Sequence, residues 1–224
     1  ATPYCPQTPG LICAHTFTRM NAHSRATAMS PNLVVLCLAL LLGLQPVTTD
    51  LYLPALPDLS QELGASMGQT QLTLSALLLA FGISQLLWGP FSDKVGRRPI
   101  MLVGLVMYTV AAVGCVLSPN IEVLVAWRVL QGAAMGAVIT SARAVVRDLY
   151  TPLHGAKVMS KAMTGLGLMA CTSPPLGGFL SQHWGWRVAM VTVVTYALFT
   201  MGLVAWRFKE TITTRNPHAL HLPT

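Results

Sequence analysis

The chain is expected to fold as an all-α integral membrane protein, a bundle of six transmembrane helices with both termini cytoplasmic. Three observations predict this. Charged residues are 9% of the 224 and hydrophobic residues 53%, whereas an ordinary soluble domain is about 25% charged. Mean hydropathy is +0.58, so there is too little polar surface to cover a soluble globule of this size. The apolar residues also gather into six runs, each close to the roughly 20 residues a helix needs to cross a bilayer core about 30 Å thick.

The runs cover residues 33–55, 71–91, 100–117, 121–146, 162–180 and 188–206. None alternates like a strand, so each is assigned to a helix that satisfies its own backbone polar groups. The connections are short, which predicts antiparallel neighbours. Basic residues give the direction. Arg19 and Arg25 precede the first run, and Lys94, Arg97 and Arg98 follow the second. Arg143, Arg147, Lys157 and Lys161 surround the turn between the fourth and fifth, and Arg207, Lys209 and Arg215 follow the sixth. Only Arg187 lies on the other side, with Asp58, Glu62 and Glu122.

The domain organisation follows from these runs. Residues 1–29 form a polar tail rich in Pro, Thr and His, with no apolar stretch ahead of a cleavage site. Met20 or Met29 would make a natural start. Residues 30–208 hold the bundle, and residues 209–224 are expected to begin a cytoplasmic linker towards a further segment.

Composition also argues against several functions. The net charge of +7 could suggest nucleic acid, but no basic run exceeds Arg97-Arg98 and the cations sit at the ends of apolar runs. The five cysteines (Cys5, Cys13, Cys37, Cys115 and Cys171) include no CxxC pair, and three lie in apolar runs, where they act as small packing residues. Cys5, Cys13 and His15 have poor spacing for zinc, and neither a metal nor a cofactor is expected. No HExxH, GxSxG or Walker pattern is present, which argues against an enzyme.

The most polar connection, GPFSDKVGRRPIM at residues 89–101, packs glycines, prolines, Asp93 and three cations between two apolar runs. It lacks the Gly-Lys-Ser/Thr ending of a phosphate-binding loop. Gly96 is expected to supply a backbone angle that other residues resist, and Pro99 suits the first turn of the next helix.

Two charges fall inside the apolar runs. An acid at membrane depth costs about 2.5–3.5 kcal/mol on insertion scales, so the default reading of Asp50 is functional. The alternative is an interfacial acid whose side chain reaches water. Arg128 lies about 10 Å below the outer start of the fourth run, and Asp50 about 25 Å above the inner start of the first. Both therefore fall in the outer half, where depth permits an Asp–Arg pair. Arginine stays charged, so a proton exchanged there would ride on the carboxylate. A static ion pair is the other reading. Tyr52, Gln131 and Gln85 are candidates for the wall of a substrate cavity. Gln131, one turn from Arg128, could instead hold the guanidinium. Gly132 and Gly136 form a GxxxG packing face. Pro174, Gly177 and Gly178 in the fifth run predict a hinge or a close helix contact.

With these residues placed, the chain resembles the N-terminal half of a major facilitator superfamily transporter, and within it the Bcr/CflA-type drug:proton antiporters. Gly89, Asp93, Gly96, Arg97 and Arg98 fit the signature loop between helices two and three, and Arg128-Val-Leu-Gln131-Gly132 the arginine motif of helix four. The stretch from Asp50 to Pro57, DLYLPALP, fits the acidic motif closing helix one, and Arg147-Asp148-Leu-Tyr150 the end of helix four. The helix-five pattern departs at one place, where Ser173-Pro174 replaces the usual Gly-Pro. The resemblance implies export of small molecules in exchange for protons across the bacterial inner membrane, by alternating access between two six-helix halves. It implies that Asp50 and Arg128 couple the proton. Asp93, Gly96, Arg97 and Arg98, with Arg147 and Asp148, would form an inner gate. The partners implied are the lipid bilayer, protons, a small-molecule substrate and a second half, or a second copy in its place. Uptake of a solute, or a remnant that does not transport, would fit the same runs.

Overall fold

The computed structural model describes residues 31–207. The expectations for residues 1–29 and 209–224 lie outside the described residues. Seven α-helices follow in order: α1 (Pro31–Thr49), α2 (Leu56–Glu62), α3 (Met67–Val95), α4 (Arg97–Val116), α5 (Ile121–Leu149), α6 (Pro152–Trp184) and α7 (Trp186–Arg207), with a 3-10 turn at Leu53–Ala55 before α2. The short α2 continues the end of α1 as a cap, which leaves six long helical segments. The protein is a multi-pass, all-helical bundle.

Among the described residues, five segments are long and apolar enough to cross a membrane: Asn32–Glu62, Met67–Val95, Arg97–Val116, Ile121–Leu149 and Trp186–Arg207. Helix α6 is long enough, yet it does not meet the same criterion. Pro174, Pro175, several glycines and Ser and Thr residues dilute its middle, and His154, Lys157 and Lys161 occupy its first turns. Two helices also outrun their apolar cores. α3 starts at Met67 because Ser66 and Gln69 form a reciprocal capping box, with the Ser66 N–H donating to Gln69 Oε1 at 2.9 Å. α6 starts at Pro152, where the missing N–H costs no helical hydrogen bond.

Helix α5 is the centre of the bundle. It packs most heavily against α3 and α4, with smaller contacts to α1 and α6, while α6 lies along α1 and α7 against α4. Adjacency in sequence does not decide the packing: α4 and α5 pack closely, but α3 meets α5 far more than it meets its neighbour α4. Small residues on α5 permit this. A Cβ at Gly132 would lie 2.2 Å from the Leu77 carbonyl oxygen, and one at Gly136 would strike Ser84 Oγ. The GxxxG face thus lets the α5 and α3 backbones touch. α6 uses the same device, since a Cβ on Gly177 would lie 2.0 Å from the Leu51 carbonyl oxygen. Of the two readings for this part of α6, the close contact is present, and the helix runs unbroken through Pro174 and Pro175.

Replacing Gly132 with valine should lower stability in detergent by about 2 kcal/mol or more, because the obstructing atom is backbone and cannot rotate away. Gly82 on α3 has nothing within 4 Å of its Cβ position, so Gly82→Val should be close to neutral. Thermal unfolding of the two variants side by side checks the contrast.

Candidate functional site

The fully buried Arg128 lies on α5, where the segment that follows α1 and the helix α7 meet it. Its guanidinium carbon sits 3.9 Å from the centre of the Tyr52 ring. Nη1 donates to Gln131 Oε1 at 3.2 Å, and Nη2 points at the Met190 sulfur at 3.3 Å. The buried Nε has no hydrogen-bond partner. Tyr52 is itself held, with its hydroxyl 2.8 Å from Thr73 Oγ1 of α3, and it has no exposed surface. Cys115 of α4 points its thiol at the same Gln131 oxygen, 3.8 Å away.

The Asp50–Arg128 pair that depth permits is not formed. Among the described residues no carboxylate is in ion-pair contact with Arg128. Asp50 is half-buried just beyond the end of α1 and accepts a hydrogen bond from Thr49 Oγ1 at 2.7 Å. Residue depth fixes height along a helix but not the direction a side chain faces. The aromatic ring two residues further on takes the place of the carboxylate. A cation over a desolvated ring gains about 2 kcal/mol, which offsets part of the cost of burying it.

Tyr52 and Gln131, candidates for a cavity wall, instead pack around Arg128 and are almost wholly buried. Gln85 is the exception. It lines an open cleft of about 420 Å³ with Gly89, Asp93, Arg97, Arg143 and Arg147 at the basic end of the bundle. Met190, Cys115 and Thr73 complete the Arg128 environment and carried no signal as sequence. A Met and a Cys within apolar runs read as packing, and Thr73 as an ordinary helix residue.

At the basic end, the residues of the 89–101 loop converge with the end of α5. Arg97, only 4% exposed, donates through Nε to Asp148 at 2.9 Å, pairs with Asp93, and reaches Ser92 Oγ. Arg147 adds a looser contact to Asp93 at 3.9 Å. Arg98 Nη2 donates to the Ala205 carbonyl near the end of α7 at 3.1 Å, where a cation also complements the helix dipole. One planar guanidinium therefore ties α3, α4 and α5 together, a geometry that lysine cannot reproduce. Gly96 joins α3 to α4 with φ at +124°, a conformation that a side chain resists.

A sequence profile of the Major Facilitator Superfamily matches residues 17–221. The chain belongs to the Major Facilitator Superfamily. This is a family of membrane transporters, not of enzymes. Curated relatives include Multidrug resistance protein D of Escherichia coli, 33% identical over 77% of this chain and 44% of that protein. A chloramphenicol resistance protein of Pseudomonas aeruginosa is 37% identical over 71% of this chain and 38% of its own length. The uncharacterized MFS-type transporter YdgK of Bacillus subtilis is 36% identical over 79% and 46%. Among solved structures, the human organic anion transporter MFSD10 matches with a TM-score of 0.70 at 22% identity, over 86% of this chain and 51% of that one. The chain thus spans about half the length, or less, of the relatives it matches.

The environment of Arg128 makes a graded prediction. Tyr52→Leu removes the ring and should cost about 2 kcal/mol of stability. Tyr52→Phe keeps the ring and loses only the Thr73 hydrogen bond, costing about 1 kcal/mol. Thermal unfolding in detergent orders the two, and equal losses would deny the ring its role.

Proposed function

We propose that the chain is the N-terminal half of a transporter that exports drugs or other small molecules from bacteria in exchange for protons. Its place would be the inner membrane. The observation that carries this reading is a buried arginine on the ring of Tyr52, two residues along the chain from the half-buried Asp50, in a chain related to resistance proteins.

In this reading Asp50 carries the proton and Arg128 responds to it. A deprotonated Asp50 attracts the guanidinium across a low-dielectric gap. A protonated Asp50 has no such pull, and Arg128 rests on Tyr52. The arrangement described above is then the separated state, in which Asp50 is bound by Thr49. Asp93, Gly96, Arg97 and Arg98 with Arg147 and Asp148 form the inner gate, and Pro174, Gly177 and Gly178 serve movement of α6 against the end of α1. A second six-helix half supplies the other wall of the cavity, and Gln85 in the open cleft is a residue it would meet. The polar stretches at residues 1–29 and 209–224 flank the bundle as cytoplasmic tail and linker. Alternating access is then a rocking of one half against the other.

The test uses the complete gene that contains this chain, expressed in everted membrane vesicles. The intact protein should release protons when drug is added, and Asp50→Asn should abolish that release while leaving membrane insertion intact. Wild-type export by Asp50→Asn at every pH would refute the coupling role. Movement of substrate out of the lumen of the everted vesicles, together with protons, would favour solute uptake. A stop codon directly after Thr224 would favour a remnant that does not transport.

A further inference from the structure

The end of the bundle opposite the basic cluster is closed by a clasp outside the motifs discussed above. Helix α2 carries Asp58 and Glu62 one turn apart. Asp58 accepts a hydrogen bond from Ser181 Oγ near the end of α6. Glu62 accepts from the Trp186 indole Nε1 at 2.8 Å, and its other oxygen pairs with Arg187. The Arg187 guanidinium also lies 4.5 Å over the Trp186 ring. Two carboxylates on one short helix thus hold the ends of α6 and α7.

The members of this clasp do not weigh equally. Arg187 and Glu62 are 42% and 49% exposed, and an ion pair in water is worth little. Trp186 has no exposed surface. If Glu62 is removed, its indole N–H becomes a buried donor without an acceptor, which is the costly case. The hydrogen bond, not the ion pair, therefore holds the clasp.

The clasp is continuous with the Arg128 environment. Trp186 belongs to one apolar cluster with Tyr52, Leu56, Leu59, Cys115 and Met190. Met190 lies one turn beyond Trp186 on α7, and its sulfur meets Arg128 Nη2. Tyr52 lies one turn before Leu56, the first residue of α2. The contact that fixes α2 to the start of α7 therefore fixes both the ring under the guanidinium and the sulfur at its edge. We infer that Glu62 and Trp186 are positioning residues for Arg128, acting through the Glu62–indole hydrogen bond. The consequence for transport rests on the role proposed for Arg128, but the arrangement itself does not.

The Cys115 thiol, 3.8 Å from the Gln131 oxygen that Arg128 uses, reports on this region without any transport assay. Cys37, in the other apolar cluster, is the internal control. The purified full chain in detergent is treated with N-ethylmaleimide, and alkylation of each cysteine is followed by mass spectrometry. Glu62→Ala should speed Cys115 modification about tenfold, since alkylation waits on local opening and a stranded buried donor favours opening. Trp186→Phe strands no donor, but it removes the tie and leaves a gap at a fully buried ring, so it should speed the modification as well. Cys37 should keep its rate. Glu62→Gln, whose amide oxygen still accepts from the indole, should stay within about twofold of wild type, as should Arg187→Ala. An unchanged Cys115 rate in Glu62→Ala or Trp186→Phe overturns the inference. So does an equal rise at Cys37, or a Glu62→Gln that behaves as Glu62→Ala. Because no step requires export, this result and the proton-release result fail independently.

Discussion

A guanidinium with no exposed surface and no carboxylate in contact sets the terms for the upper part of this bundle. Moving an ion out of water costs several kcal/mol even after relaxation, so Arg128 needs every partner it has. The ring comes from the segment after α1, the amide from α5 itself and the sulfur from α7. Three elements must therefore meet at one depth. That meeting requires α5 in the middle of the bundle, and α5 can take the middle only because Gly132 and Gly136 let α3 come to backbone contact. The close packing and the buried charge are two sides of one constraint.

The two ends of the bundle solve a related problem by different means. At the basic end, Arg97 gathers Asp93 and Asp148 from two other helices around one largely buried guanidinium. At the opposite end, carboxylates on α2 gather an indole and a hydroxyl. A bundle joined at both ends by hydrogen-bonded charges favours motion as a unit over sliding of its helices. Under the proposed function, such ends would let the bundle rock against a second half while the α6 contact with the end of α1 adjusts between them.

How much of this was legible from residues alone depends on the physics each feature obeys. The bundle was legible because lipid demands long apolar helices, and runs of about 20 such residues are hard to mistake. The weakest run, at 162–180, belongs to the helix that fails the apolar criterion, and its Pro and Gly content is the reason. Helix ends were less legible: Ser66 and Pro152 extend α3 and α6 into polar sequence that hydropathy ignores. Arg128 and Gln131 stood out because polar groups are rare at that depth. Their partners did not. Spacing along a helix placed Asp50 and Arg128 at one height, but the angle around each axis, which selects Tyr52 over Asp50, comes only from packing. Met190, Cys115 and the Glu62–Trp186 contact join residues far apart in sequence, and each reads singly as ordinary packing or surface.

The choice of Tyr52 over Asp50 as the seat for Arg128 bears on how easily the site can change state. Breaking a buried ion pair by removing one partner costs about 3–5 kcal/mol, so a locked Asp–Arg pair would resist rearrangement. A desolvated ring holds a cation by about 2 kcal/mol, and a sulfur acceptor adds little. The unpartnered Nε leaves the guanidinium less than fully satisfied where it lies. Arg128 is thus held by weaker contacts than a buried ion pair would supply. The difference of a few kcal/mol between the two seats is within what protonating one carboxylate can redirect, since each pKa unit of coupling is worth about 1.4 kcal/mol. Under the proposed coupling, a site built on the ring is one that a single proton would bias, whereas a permanent ion pair would hold one arrangement.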